Sequence, residues 1–349
     1  MEKQPIDPPA EGTPGPRNAL DDVPGLRIGH AHDAAVKTGV SVIVADAPMV
    51  CAVDVRGGGP GTRETDLLDP AALVQTVDAV VLSGGSTYGL GAADAVAAQL
   101  GAQGRGFALV DRPSVPRSPI VPAAILYDLA NGGDKDWGTH PPYGDLGRSA
   151  LEAAQEAVSP QEKCAMQGAV GAGFGARAGL VAGGLGSVSA HLSGGHRVGA
   201  LLAVNSFGSV FMPGTRRFWA APFAQGGELG PDNDLEAGLV APPVAGMPAD
   251  TKMGPKTAPD PRTNTTIGIV STSVPLTQAD AKRVAIMAQD GLARAIRPVH
   301  APTDGDVLFV LAPPTKQPAD LLNVTRLGTV AADCVARAIA RGVYEANRD

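Results

Sequence analysis

The stretch Asn264–Thr272, Asn-Thr-Thr-Ile-Gly-Ile-Val-Ser-Thr, constrains this chain more than any other because of what runs into it. The nine residues Gly254–Arg262 carry three prolines and read as a loop. From Thr266 onward, β-branched content and rough alternation read as a strand. Thr265 therefore stands at the mouth of a strand, just after a flexible loop, where a chain can cut its own backbone. In that chemistry the threonine hydroxyl is the nucleophile and its freed α-amine is the general base. An α-amine has an unperturbed pKa near ~7.7–8 and accepts a proton close to neutrality without tuning. A hydroxyl in mid-chain has no such base built in. The plainer reading of the same residues is that Asn-Thr-Thr only begins a strand.

Composition narrows the function classes. A chain of 349 residues can bury a large core, and 44% hydrophobic content with 45 Gly and 31 Pro suggests a compact protein with many tight turns. Aromatics at 4% leave little to stack on single-stranded nucleic acid, and a net charge of −7 with no basic stripe argues against a polyanion partner. Cys51, Cys164 and Cys334 are scattered and form neither a disulfide framework nor a paired zinc motif. His30-x-His32 reads as a structural or solvated pair in a loop, so no metal is expected. Residues 1–19 are proline-rich without an apolar run, which reads as a disordered tail and not a secretory signal. No segment approaches the ~18 consecutive apolar residues of a membrane span. The expectation is one domain over 20–349, cytoplasmic, with no membrane partner.

Along the chain, Gly39–Ala45 and Cys51–Val55 read as paired strands, followed by the glycine-rich run Arg56–Thr65, where backbone can approach something closely. Ala79–Leu82 reads as a buried strand, Ser83–Gly89 as a glycine turn and Leu90–Leu100 as a small-residue helix. That outline resembles a phosphate cradle but lacks both G-x-G-x-x-G and the Walker lysine, leaving close helix–strand packing as the reading. Pro119–Leu129 is apolar, and Tyr127 near its end has a phenol that either points into a cleft or sits satisfied in the core. Leu146–Val158 reads as a helix, and Val198–Asn205 as a central strand. A carboxamide at that strand's end can donate to a developing oxyanion, where loss of one donor can cost ~10²–10³ in rate. Ser206–Pro261 is long and irregular, which in a compact protein is functional or disordered. Thr277–Ile296 reads as one amphipathic helix capped by Thr277, with Asp280 three residues on. Asp304 and Asp306 are spaced i, i+2, able to hold an ammonium group or simply to make a turn before the strand at Val307; a last helix spans about Leu321–Glu345.

Four blocks now stand in order: Asp54–Thr65, Leu82–Leu90, Ile120–Asp128 and Asn264–Gly268. Together they resemble the self-processing L-aminopeptidase/D-esterase family, which includes β-peptidyl aminopeptidases and nylon-oligomer (6-aminohexanoate) hydrolases. The resemblance covers roughly Leu20–Tyr344. It implies an α/β fold, a four-layer αββα sandwich of the Ntn-hydrolase type, made as a precursor that cuts itself between Asn264 and Thr265 into 1–264 and 265–349. It also implies Thr265 as nucleophile, Asn205 as oxyanion-side donor, Tyr127 in the pocket, and Asp304 and Asp306 orienting the amine. No metal or organic cofactor is implied. The partners would be a small amide, short peptide or oligomer substrate and further copies of the chain, as a tetramer of processed heterodimers. One departure stands out. The family pattern near Gly179–Ser187 usually carries a lysine, and here no lysine occurs between Lys163 and Lys252. Arg177 is nearby, but a guanidinium cannot serve as a neutral base.

Three functions follow. An N-terminal-nucleophile amide hydrolase is the reading adopted. Acyl transfer of the ornithine acetyltransferase type is the enzymatic rival, although the four blocks are not those of that family. The non-enzymatic rival is an unprocessed precursor that only binds, its maturation blocked for want of the lysine.

Overall fold

The computed structural model describes residues 11–156, 166–233, 250–252 and 264–348. Eleven strands and five α-helices are assigned among them. The first half contains β1 (Leu26–Asp33), β2 (Thr38–Val55), β3 (Thr62–Arg63), β4 (Thr76–Ser83), α1 (Gly91–Ala102), β5 (Ala123–Ile125) and α2 (Tyr143–Gln155). The second contains β6 (Arg177–Ala178), β7 (Val181–Ala182), β8 (Gly184–His191), β9 (Arg197–Asn205), β10 (Thr265–Thr272), α3 (Gln278–Ala288), α4 (Asp290–Ala295), β11 (Val307–Ala312) and α5 (Leu321–Ala346).

Nine strands join in the order β3-β5-β4-β2-β11-β10-β9-β8, with β1 also on β2, and β6–β7 form a separate hairpin. The two segments expected to pair with each other are instead one continuous strand, β2. Its first half pairs with β1 and β4, and its second half, Val50–Val55, pairs antiparallel with β11. The register on β4 shifts between Val44 and Met49, where Asp46, Ala47 and Pro48 are exposed. Pro48 has no N–H for a ladder, so the strand bulges there and turns from one leaf into the other.

Side-chain alternation along the leaves builds four layers. Val40, Val42 and Val44 face α1 and α2 with Ala93, Val96 and Leu151. Ile43, Cys51, Leu82, Leu201, Ile267 and Phe309 meet between the leaves. Val50, Leu202, Val270 and Val310 face α3, α4 and α5. The order helix, sheet, sheet, helix is the αββα sandwich expected. The helix read over Thr277–Ile296 is two helices. Thr277 caps the first as expected, accepting from Asp280 N, and the break falls at Gln289, whose buried amide donates to Asp54 O on β2 at 2.8 Å. His30-x-His32 lies in β1 and not in a loop. His30 is half-buried with Nδ1 2.9 Å from Ser41 Oγ, and desolvation first, then His32, lowers its pKa to about 4, which keeps it neutral. Cys51 and Cys334 are buried and unpaired thiols, while Cys164 lies outside the described residues. Among the described residues no helix is long and apolar enough to cross a membrane, and no cluster of His, Cys, Asp or Glu could hold a metal.

Of the expected tail, residues 1–10 lie outside the described residues, and residues 11–19 are bonded into the fold. Gly12 N donates to His191 O at 2.8 Å, and Asn18 bonds Arg337 from α5 at 2.9 Å. Arg337 is 1% exposed and pairs with Glu228 through Nε–Oε1 at 2.7 Å and a second bond at 2.9 Å. Burial alone would raise the Glu228 pKa, but the guanidinium outweighs it and holds the carboxyl below the ordinary range. Such a carboxylate stabilises the fold above its unfolded pKa, and that contribution is lost as pH falls through the folded value. Arg337→Met strands a buried carboxylate, and urea unfolding at neutral pH is expected to show a loss of about 3–5 kcal/mol. Adding Glu228→Gln to that variant should recover part of it.

Candidate active site

Strand directions bring the predicted residues to one edge. Antiparallel β9 ends where β10 begins, with Asn205 registered opposite Thr265. Parallel β11 begins beside β10, and just before it Asn264 bridges to Asp304. On the far side of β11, Val55 at the end of β2 registers with Val307. The glycine run after Val55 therefore meets the Asp304–Asp306 loop, and this is the close approach its composition suggested. Gly59 N donates to Asp304 O at 2.8 Å, and a Cβ on Gly57 would fall 2.3 Å from Asp304 O.

The peptide between Asn264 and Thr265 is held on its carbonyl oxygen. Gly305 N–H donates to Asn264 O at 3.1 Å, and the Thr265 hydroxyl also donates to it. Asn264 Nδ2 donates to Thr303 Oγ1 at 3.1 Å, and both Asn264 and Thr265 are buried. The two aspartates divide their tasks. Asp306 Oδ1 accepts Thr266 N–H at 2.8 Å, and its Oδ2 accepts from His300 Nδ1 at 2.8 Å, so this carboxylate anchors the start of β10. Asp304 Oδ2 accepts Ala301 N–H at 2.8 Å, while its buried Oδ1 has no hydrogen-bond partner among the described residues. Burial first and the Asp306 carboxylate second push the Asp304 pKa up to about 7, against the pull of the Ala301 and Phe207 main-chain N–H groups and, last, Lys252.

Asn205 lies across from the nucleophile candidate, but its amide is already engaged. Nδ2 donates to Tyr127 O at 2.9 Å, and Oδ1 accepts Arg177 N–H at 2.9 Å and the Lys252 ammonium at 3.2 Å. Tyr127 thus joins the cluster through its main-chain carbonyl, two residues beyond β5. The turn Ser83–Gly89 braces that end. Gly84 and Gly85 leave no room for a cradle: a Cβ on Gly84 would fall 2.2 Å from Asp128 Oδ2, and Gly85 N–H donates to Asp128 Oδ1 at 2.7 Å. His300 and Lys252 were not singled out from sequence. The Asp306–His300 contact spans only six residues, whereas Lys252 sits in the irregular passage with no local signal. The β6–β7 hairpin has no lysine, yet the edge still receives an ammonium from Lys252.

A family model described as Peptidase family S58 matches residues 18–348. An uncharacterized aminopeptidase of Mycobacterium tuberculosis (strain ATCC 25618 / H37Rv) is 43% identical over 349 residues, covering 94% of each chain. A 6-aminohexanoate-oligomer endohydrolase of Kocuria sp. (strain KY2) is 27% identical, over 89% of this chain and 82% of that protein. Among solved structures, a Burkholderia sp. β-aminopeptidase superposes with a TM-score of 0.65 at 23% identity, over 95% of this chain and 88% of that one. The L-aminopeptidase D-Ala-esterase/amidase of Ochrobactrum anthropi, a variant of the Ntn hydrolase fold, gives 0.65 at 19% identity, over 96% and 88%. At those identities the structural likeness is one of fold.

Proposed function

The chain belongs to peptidase family S58 and is a hydrolase, and we propose that it is a self-processing amide hydrolase with Thr265 as nucleophile. The observation that carries this reading is the paired hold on Asn264 O by Gly305 N–H and the Thr265 hydroxyl at the mouth of β10. In the first reaction Thr265 Oγ1 bonds to the Asn264 carbonyl carbon, and negative charge collects on the oxygen facing Gly305 N–H. The carbon–nitrogen bond breaks, the hydroxyl's proton ends on Thr265 nitrogen, and water then opens the ester. The products are an Asn264 carboxylate, a restored hydroxyl and a free α-amine on Thr265, which stay associated through the shared sheet. In turnover the same hydroxyl attacks a substrate carbonyl while the α-amine takes and returns the proton. Asn205, opposite the nucleophile, acts on the oxyanion side through a proton of Nδ2 other than the one given to Tyr127 O, and Asp304 Oδ1 is the acceptor for a substrate's free amino end.

The 43% likeness to an aminopeptidase supports a substrate with a free amino terminus, as in small amides or β-peptides. The 27% likeness to an oligomer endohydrolase supports ω-amino acid oligomers such as nylon oligomers as a second class. The assembly proposed is a cytoplasmic homo-oligomer, a tetramer of processed heterodimers. Denaturing mass spectrometry with N-terminal sequencing tests the reading. Two chains are expected, the smaller beginning Thr-Thr-Ile-Gly. One uncut chain that hydrolyses no amide would overturn it.

A further inference from the structure

Asn205 Oδ1 receives two donors from separate segments, the Arg177 main-chain N–H and the Lys252 ammonium. With both on the oxygen, Nδ2 must face the other way, toward Tyr127 O. Lys252 also reaches Asn205 O at 3.5 Å, and its own N–H donates to Phe207 O at 3.2 Å. Its neighbour is pinned as well. Ser209 Oγ donates to the Asp250 carboxylate, and Asp250 O packs on the turn of the hairpin, where a Cβ on Gly179 would fall 2.5 Å from it. The ammonium is therefore placed by two anchored residues and not left on a free stem.

Other cations near this edge are turned elsewhere. Arg177 directs its guanidinium to Leu180 O, and Arg56 directs its own to Asp54 and Ile286 O. Among the described residues, the charged groups acting on Asp304 are Asp306, itself bonded to His300, on the same loop, and Lys252 from the segment 250–252.

We propose that Lys252 is a positioning residue for the reaction at Thr265: its ammonium fixes the Asn205 amide opposite the nucleophile. This rests on the reading of Thr265 as nucleophile. The same ammonium also pulls Asp304 toward its carboxylate, as the smallest influence on it after burial, Asp306 and the Ala301 and Phe207 main-chain N–H groups. Only the ionised form offers Asp304 Oδ1 as a full acceptor for an amine.

The test does not depend on self-cleavage. Side-chain amide ¹H–¹⁵N NMR of Asn205 in a Thr265→Ala chain compares Lys252 with Lys252→Met, Lys252→Gln and Lys252→Arg. Met and Gln are expected to shift the Asn205 amide resonances and speed their exchange with water, and Arg to leave both in place. In chains that keep Thr265, Lys252→Met is expected to cut itself about tenfold more slowly, with Arg restoring the rate. Unmoved Asn205 resonances in Lys252→Met overturn the inference, whatever the wild-type chain does. Moved resonances in chains of which none is cut uphold the link between Lys252 and Asn205, and overturn the reading of Thr265 instead.

Discussion

Thr265→Ala is expected to leave a single chain of 35.2 kDa that hydrolyses no amide. The substitution removes Oγ1 and nothing else that the strand needs. Thr265 keeps its place opposite Asn205 through main-chain pairing, and its hydroxyl donates only to Asn264 O, a carbonyl still held by Gly305 N–H. The fold should therefore survive within about 1 kcal/mol, the range of substitutions that touch no cap, cavity or network. Rate is another matter. Deleting a nucleophile costs about 10⁴-fold or more, because the remaining donors have no attacking atom to act on. Thr265→Ser keeps the oxygen and should still be cut, more slowly, since it lacks the β-branch that limits χ1. Denaturing mass spectrometry of the three chains, with urea unfolding alongside, separates the outcomes. An Ala chain cut at the wild-type rate would remove Thr265 from the mechanism.

Much of the fold was legible because its signals are local. β4, α1, β9, β10 and α5 follow from apolar runs and helical spacing, and the cap at Thr277 follows from one hydroxyl and one carboxylate three residues apart. The errors lie where a distant partner decides. Asp46-Ala47-Pro48 reads as a turn between two strands, yet β2 continues through it because β4 pairs before and after the bulge and β11 takes its far half. The break at Gln289 is likewise set by Asp54 O, on a strand more than two hundred residues earlier.

The site divides in the same way. Thr265, Asn205, Asp304 and Asp306 could be named from sequence because each stands at the end of a legible strand. Their division of labour could not. That Asp306 anchors main chain while Asp304 keeps a buried oxygen without a partner depends on His300 and on the register of β10. Tyr127 stands out in the sequence for its phenol, and the structure joins it to Asn205 through its carbonyl. Lys252 lies in a passage without periodicity, so only the folded geometry brings it to the edge.

Gly305→Ala is expected to be the next most damaging change after loss of the nucleophile, with no chemical group removed. A Cβ there would fall 2.7 Å from Thr265 Oγ1 and 2.8 Å from Gly59 O. The hydroxyl can rotate away, but the glycine-run carbonyl is main chain and yields less easily. The loop before β11 must shift, and the N–H of residue 305 moves with it, away from Asn264 O. Overpacking of this kind costs about 1–3 kcal/mol in stability. The larger expected effect is on self-cleavage, about 10²–10³-fold slower, as when one oxyanion donor is withdrawn. Gly144→Ala is the matching control, since its Cβ would meet nothing within 4 Å. If Gly305→Ala folds, loses stability as expected and still cuts at the rate of the control, then Gly305 N–H holds the Asn264 carbonyl in place without stabilising the charge that forms on it.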